Sequence, residues 1–160
     1  MSVIDEALKA NERYARNHQA RAVSPPGVRL AVVICMHSRT FDLAELLGLR
    51  HAEMDVIKTR GAAVSDEILS ELVVSTRVLE APEILIISHR LCDFGGLAEH
   101  DQSGHPSGGV WEGHPPQRLD IEENVRQQVL KVRSCPLIPD TVAVRGVILD
   151  IETGRLSEVI

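Results

Sequence analysis

Aromatic residues and long apolar runs are scarce in this chain. Of its 160 residues only four are aromatic, and the formal net charge is −6. Both features argue against a nucleic-acid partner, because bases are bound by aromatic stacking and phosphates by positive charge. No apolar run approaches the ~20 residues that are needed to cross a bilayer, so we expect no membrane protein.

Cysteine is also rare, with only Cys35, Cys92 and Cys135. The N-terminal sequence MSVIDEALKANERYARN carries early acidic residues and lacks the apolar core of a secretory signal. We therefore expect a cytoplasmic protein, a setting in which disulfides are rare. The three cysteines are then better interpreted as core thiols or metal ligands than as a covalent framework.

The remaining composition, 44% hydrophobic and 25% charged, is that of one ordinary globular domain. Short continuous apolar runs alternate with amphipathic stretches, which is typical of strands covered on both faces and linked by helices. The pattern predicts a three-layer α/β/α fold with a mainly parallel central sheet. The predicted strands are LAVVICM at 30–36, MDVI at 54–57, EILIISH at 83–89, and a strand, turn and return strand within 141–159.

Four helical segments accompany these strands. Residues 42–49, 65–79 and 120–133 are amphipathic, and Ser65 is placed to cap the second of them. Residues 4–17 form an N-terminal helix that ends at a Ser-Pro-Pro-Gly cluster. We therefore divide the chain into a helical arm at 1–27 and an α/β domain at 28–160.

A long loop is predicted at 93–118, where the sequence is rich in Gly, Pro and His and has no periodicity. Loops of this length are usually functional or mobile. His100, His105 and His114 lie within it. Their polar neighbours favour a solvated loop over a second metal site.

Three residues with affinity for metals lie at or just after predicted strand ends. They are Cys35, His89 and Cys92. Open parallel sheets bind ligands beyond the carboxyl ends of their strands, so these side chains could converge on one point. Two thiolates and an imidazole form a set that zinc accepts, with a fourth position left for water. A His-x-x-Cys pair alone is a weak motif, however, and a strand cysteine is often a small core residue.

The sequence around these positions resembles the β-class carbonic anhydrases. Their pattern, Cys-x-Asp-x-Arg followed by His-x-x-Cys, corresponds to CMHSR at 35–39 and HRLC at 89–92. The similarity spans nearly the whole chain and is strongest for the short bacterial members, a branch that includes hydrolases of carbonyl sulfide and carbon disulfide. Further matching segments are NERYA at 11–15, LLGL at 46–49, VIKTRG at 56–61, RGV at 145–147 and GRL at 154–156.

This resemblance implies a zinc ion bound by Cys35, His89 and Cys92. It also implies a homodimer or larger assembly in which the arm packs on a neighbouring subunit. The implied reaction is attack by zinc-activated water on carbon dioxide, with carbonyl sulfide and carbon disulfide as related substrates.

The chain departs from the family at His37, where the family has an aspartate that pairs with the arginine two residues later, here Arg39. That dyad governs access to the fourth zinc position. Three interpretations of His37 stay open. It could be a fourth ligand that gives a water-free Cys₂His₂ set, which is typical of structural zinc. It could be a base or proton shuttle beside the metal, since its reference pKa suits that role. It could also face solvent without a role.

Other departures surround the same positions. The residues at 58–60 are Lys, Thr and Arg where the family has Arg, Asn and Ala, and Asp93 stands where the family has glycine. Asp93 could supply the missing carboxylate, as a base or as a partner of Arg39 or Arg60, or it could be a solvated loop residue. We take His37, Arg39 and Asp93 as candidate catalytic residues, with Arg39 orienting the substrate or the product anion.

Two functions follow from these residues. The first is a zinc-dependent enzyme acting on carbon dioxide, carbonyl sulfide or carbon disulfide. The alternative is a catalytically impaired, zinc-stabilised homologue that binds partners or small anions.

Overall fold

The computed structural model describes residues 2–17, 27–36, 41–89 and 121–160. Two short 3₁₀ turns, His51–Glu53 and Arg60–Ala62, flank the second strand. The helices are α1 (Val3–Asn17), α2 (Leu43–Leu47), α3 (Asp66–Arg77) and α4 (Ile121–Arg133). The strands are β1 (Leu30–Cys35), β2 (Met54–Thr59), β3 (Glu83–His89), β4 (Ala143–Leu149) and β5 (Leu156–Glu158).

The strands form a five-stranded sheet in the order β2-β1-β3-β4-β5. The pairs β1–β2, β1–β3 and β3–β4 are parallel, and β5 returns antiparallel to β4. The predicted mainly parallel sheet is therefore confirmed. The strand, turn and return strand predicted for the end of the chain are also present.

The central strand β1 shows why these apolar runs become strands. Its first residue is half-buried and the other five are buried. Val32, Val33 and Ile34 are β-branched, and such side chains pack well on a pleated surface. Because both faces of the strand are covered, its sequence is continuously apolar instead of alternating.

Helices cover both faces of the sheet. On one face, Val33 and Ile86 pack with Leu72 of α3 and with Val129 and Val132 of α4; we call this the α3/α4 face. On the opposite face, the α2 face, a second cluster packs against α2. Its members include Val32, Ile34, Ile87, Leu149, Leu43, Leu46 and Leu47. The predicted three-layer arrangement is thus confirmed.

The helix boundaries follow from local capping. Asp42 caps α2, and its Oδ1 accepts hydrogen bonds from the backbone nitrogens of Ala44 at 2.9 Å and Glu45 at 3.2 Å. The helix ends at Gly48, whose φ of 66° suits glycine. The Oγ of Ser65 accepts from the backbone nitrogen of Ile68 at 3.4 Å, so the predicted cap of α3 is confirmed.

An ionic cluster lies at the amino-terminal edge of the sheet. Glu53 accepts hydrogen bonds from the Nε of Arg50 at 3.1 Å and its backbone nitrogen at 2.9 Å, and from Nη1 of Arg29 at 3.3 Å. These bonds, those of Arg50 first, lower the pKa of Glu53 to about 2. The carboxylate therefore stays charged at neutral pH and ties the start of β2 to the start of β1.

The N-terminal helix α1 confirms the helix predicted at 4–17, and no residue in it is buried. Ile4, Leu8 and Tyr14 are 71%, 61% and 64% exposed.

No helix in the described part of the chain combines the length and apolar character that a membrane span requires. The division at residue 27 stays a prediction.

Gly146 of β4 is required by the close approach of α4. A Cβ at this position would overlap Cγ1 of Val125 and lie 2.9 Å from Cγ2 of Val129. Both valines are fully buried, so neither side chain has room to move away. Glycine therefore lets α4 rest directly on the strand.

Replacing Gly146 by alanine should destabilise the protein by about 1–3 kcal/mol, the usual penalty for overpacking. Gly27→Ala is the matched control, because a Cβ there would meet no atom of the described residues within 4 Å. The free energy of unfolding from urea titrations measures both changes. Equal stabilities for the two variants would contradict the close packing of α4.

Candidate metal centre

The structure places two of the three predicted metal ligands at adjacent strand ends. Cys35 is the last residue of β1 and His89 is the last residue of β3. The two strands are parallel neighbours, with Ile34 opposite Ile87. Cys35 is fully buried and His89 is 9% exposed. A thiol and an imidazole are thus held at one edge of the sheet, largely shielded from water.

This edge is also the topological switch point of the fold. After β1 the chain continues to α2, which packs on one face of the sheet, and on to β2. After β3 it continues to α4, which packs on the opposite face, and on to β4. When neighbouring strands lead to opposite faces, a crevice forms beyond their carboxyl ends, and ligands of open α/β sheets bind there. Cys35 and His89 are the last residues of these two strands, at the edge where such a crevice is expected.

The other predicted site residues lie outside the described part of the chain. These are His37, Arg39, Cys92 and Asp93, together with the loop at 93–118 and its histidines. Within the ranges that the structure describes, no group of three His, Cys, Asp or Glu residues is placed to hold a metal. The complete ligand set and the three catalytic residues therefore stay predictions.

The 3₁₀ turn after β2 covers the same edge of the sheet. It contacts both β1 and β3. Gly61 and Ala62 adopt positive φ values of 62° and 58°, and Ala62 is fully buried. The left-handed conformation costs a non-glycine residue about 1–2 kcal/mol. Such strain is often found at functional sites, and here it lies directly beside the strand ends that carry Cys35 and His89.

Two buried hydroxyl groups accompany Cys35 at this edge. Thr59 ends β2 opposite Cys35, and Ser88 precedes His89. Thr59 is predicted from the sequence only as a departure from the family pattern, and Ser88 is not among the predicted site residues. The signal for Ser88 is its polarity directly after the apolar run ILII at 84–87.

The thiol of Cys35 and the imidazole of His89 are chemically suited to bind a zinc ion. Zinc is bound in proteins mainly by cysteine thiolates and histidine imidazoles. Burial keeps competing water away from both side chains, and the strand ends hold them in place.

A surface pocket of about 360 Å³ lies elsewhere, near the start of β4, and includes Arg133 and Arg145 in its lining. Its described lining contains none of the predicted site residues.

Sequence relatives match this chain over nearly its full length. Beta-carbonic anhydrase 1 of Mycobacterium tuberculosis is 30% identical over 167 residues, covering 99% of each protein. This chain belongs to the β-carbonic anhydrase family. A more distant relative, the carbon disulfide hydrolase of Acidithiobacillus thiooxidans, is 23% identical and covers 96% of this chain and 87% of the hydrolase. No family model matches the chain.

Solved structures agree with this family assignment. The crystal structure of a carbonic anhydrase from Streptococcus mutans superposes with a TM-score of 0.75 at 30% identity. The match covers 100% of this chain and 99% of the other. The described part of the chain therefore has the fold of this family.

Proposed function

We propose that this β-carbonic anhydrase homologue is a zinc enzyme that adds water to carbon dioxide or to a related small molecule, carbonyl sulfide or carbon disulfide. The observation that carries the proposal is the placement of Cys35 and His89 on adjacent strand ends at the switch point. Cys92, three residues after His89, completes the proposed ligand set.

Each proposed ligand has a distinct task. Cys35 and His89 would supply a sulfur and a nitrogen donor from the ends of two adjacent strands. Cys92 supplies the third donor from the segment that follows β3. Zinc in such a site acts as a Lewis acid that lowers the pKa of a water molecule towards 7.

The remaining proposed residues handle charge. Arg39 orients the substrate or the product anion, since a guanidinium offers several donors in a fixed plane. His37 or Asp93 accepts the proton that the attacking water releases. Burial of the edge excludes bulk water and strengthens the electrostatic interactions made there.

The metal centre is tested by Cys35→Ala, which should abolish both zinc retention and turnover. Cys135→Ala is the matched control, since this half-buried residue packs against the core of the α3/α4 face and lies outside the proposed centre. Zinc content and hydration of carbon dioxide, carbonyl sulfide and carbon disulfide are measured on the same samples. Full activity in zinc-free Cys35→Ala would refute the proposal.

A second candidate function rests on His37, which stands in place of the family's aspartate. If His37 completes a Cys₂His₂ set, no position is left for water, and the protein is a zinc-stabilised binding or structural protein. X-ray absorption spectroscopy of the zinc-loaded protein separates the two candidates. An oxygen atom among the nearest zinc neighbours supports the enzyme.

The substitution His37→Asp should lower turnover roughly 100-fold, within the range lost when an acid–base group is removed. His51→Asp is the control, because His51 is exposed in the turn before β2, at the opposite edge of the sheet. Initial rates with each of the three substrates measure the change. A large gain in carbon dioxide hydration would instead favour the impaired homologue.

The exposed helix α1 supports the proposed homodimer or larger assembly. Its apolar residues Ile4 and Leu8 are one helical turn apart, and neither is buried by the described part of its own chain. Exposed apolar surface of this kind commonly marks an interface. A second copy of the chain is the proposed partner.

Replacing Ile4 and Leu8 together by serine should reduce the mass of the assembly, because the apolar face of α1 is lost. Glu6→Ser with Arg13→Ser alters the opposite face of the helix and should leave the assembly intact. Sedimentation velocity at matched concentrations gives the masses. An unchanged mass for the Ile4/Leu8 variant argues against the arm as an interface.

A further inference from the structure

The hydroxyl groups of Thr59 and Ser88 lie on either side of Cys35. Thr59 is the register partner of Cys35 in the β1–β2 pair. In the β1–β3 pair Ile34 is opposite Ile87, so the next position along both strands sets Ser88 beside Cys35. The thiol is therefore flanked by a hydroxyl-bearing residue on each neighbouring strand.

All three side chains belong to the same face of the sheet. Side chains two residues apart on a strand point the same way. Two positions earlier on the three strands stand Ile57, Val33 and Ile86, and all three pack in the cluster of the α3/α4 face. Thr59, Cys35 and Ser88 continue that row to the carboxyl edge.

Both hydroxyls are buried. Ser88 is 4% exposed, and the Oγ1 of Thr59 is inaccessible to solvent. Neither oxygen has a hydrogen-bond partner among the residues that the structure describes. An unsatisfied buried hydroxyl is costly, and native proteins retain few of them. Two such groups beside one sulfur therefore point to that sulfur as an acceptor for both.

We propose that Thr59 and Ser88 donate hydrogen bonds to the sulfur of Cys35 when that sulfur binds the metal. A neutral thiol is a weak acceptor, whereas a thiolate is a strong one. Adjacent strands are roughly 4.8 Å apart, a separation that a hydrogen bond between side chains on neighbouring strands can span. The inference rests on the metal centre of the proposed function.

The two hydroxyls act as positioning residues. Hydrogen bonds to a ligating sulfur orient it and withdraw charge from it, and outer contacts of this kind tune a metal's affinity and acidity. With two donors on the Cys35 sulfur, less charge passes to the metal. A metal bound there would then polarise its remaining ligands more strongly.

The test uses cobalt(II) in place of zinc, because sulfur-to-cobalt charge transfer gives a near-ultraviolet band. Hydrogen bonds to the sulfur lower the energy of its lone pairs and move this band to shorter wavelength. Thr59→Val and Ser88→Ala should each shift the band to longer wavelength. Each should also weaken zinc binding roughly tenfold in chelator competition, because the sulfur is no longer held in its ligating orientation and this loss outweighs its greater charge donation.

Two controls separate this effect from a general loss of packing. Thr59→Ser retains the hydroxyl and should restore the position of the band. Ser75→Ala removes another buried hydroxyl, one that bonds Asp55 at 2.5 Å. Asp55 precedes Thr59 by four residues, about 13 Å along the strand, so this variant should leave the band in place. Thermal melts verify that every variant is folded.

The outcomes distinguish this inference from the metal centre itself. A band that stays in place in folded Thr59→Val and Ser88→Ala overturns the inference and leaves the metal centre standing. A parent protein that binds cobalt without any charge-transfer band overturns both. A shifted band in a protein that hydrates none of the three substrates supports the hydrogen bonds and overturns only the proposed reaction.

Discussion

The parallel pairing of β1 with β3 is the constraint on which the rest of the structure depends. It sets Cys35 and His89 at the ends of adjacent strands, and it sets Ser88 beside Cys35. A slip of one residue would turn every side chain of β1 to the opposite face. Such a slip is prevented because both faces of β1 are packed, Val33 among the side chains of α3 and α4 and Ile34 among those of α2.

Much of this architecture could be predicted from the sequence. Continuous β-branched runs predict strands covered on both faces, and Ser65 marks the start of α3 as expected. The placement of Cys35 and His89 also follows, because each terminates an apolar run and parallel strands end at a common edge. Family membership is confirmed by full-length relatives. It could be predicted from the short motifs around these residues and from the similarity of the flanking sequence.

Other features could not be predicted because they depend on contacts between distant segments. Ser88 lies beside Cys35 only because β3 pairs with β1, and the order of strands is not encoded locally. The positive φ of Ala62 could not be predicted from the sequence either, since alanine gives no local signal for a left-handed turn. The need for glycine at 146 appears only once α4 is seen resting on β4.

The opposite exits of the chain from β1 and β3 have a consequence for how such a site changes over evolution. The hydrophobic cluster beneath α2 lies on one face of the sheet, and the cluster beneath α3 and α4 lies on the other. The sheet separates the two clusters, so a substitution that changes the packing on one face has little direct contact with the packing on the other. Substitutions on one face of the sheet can therefore accumulate during evolution while the packing of the other face is retained.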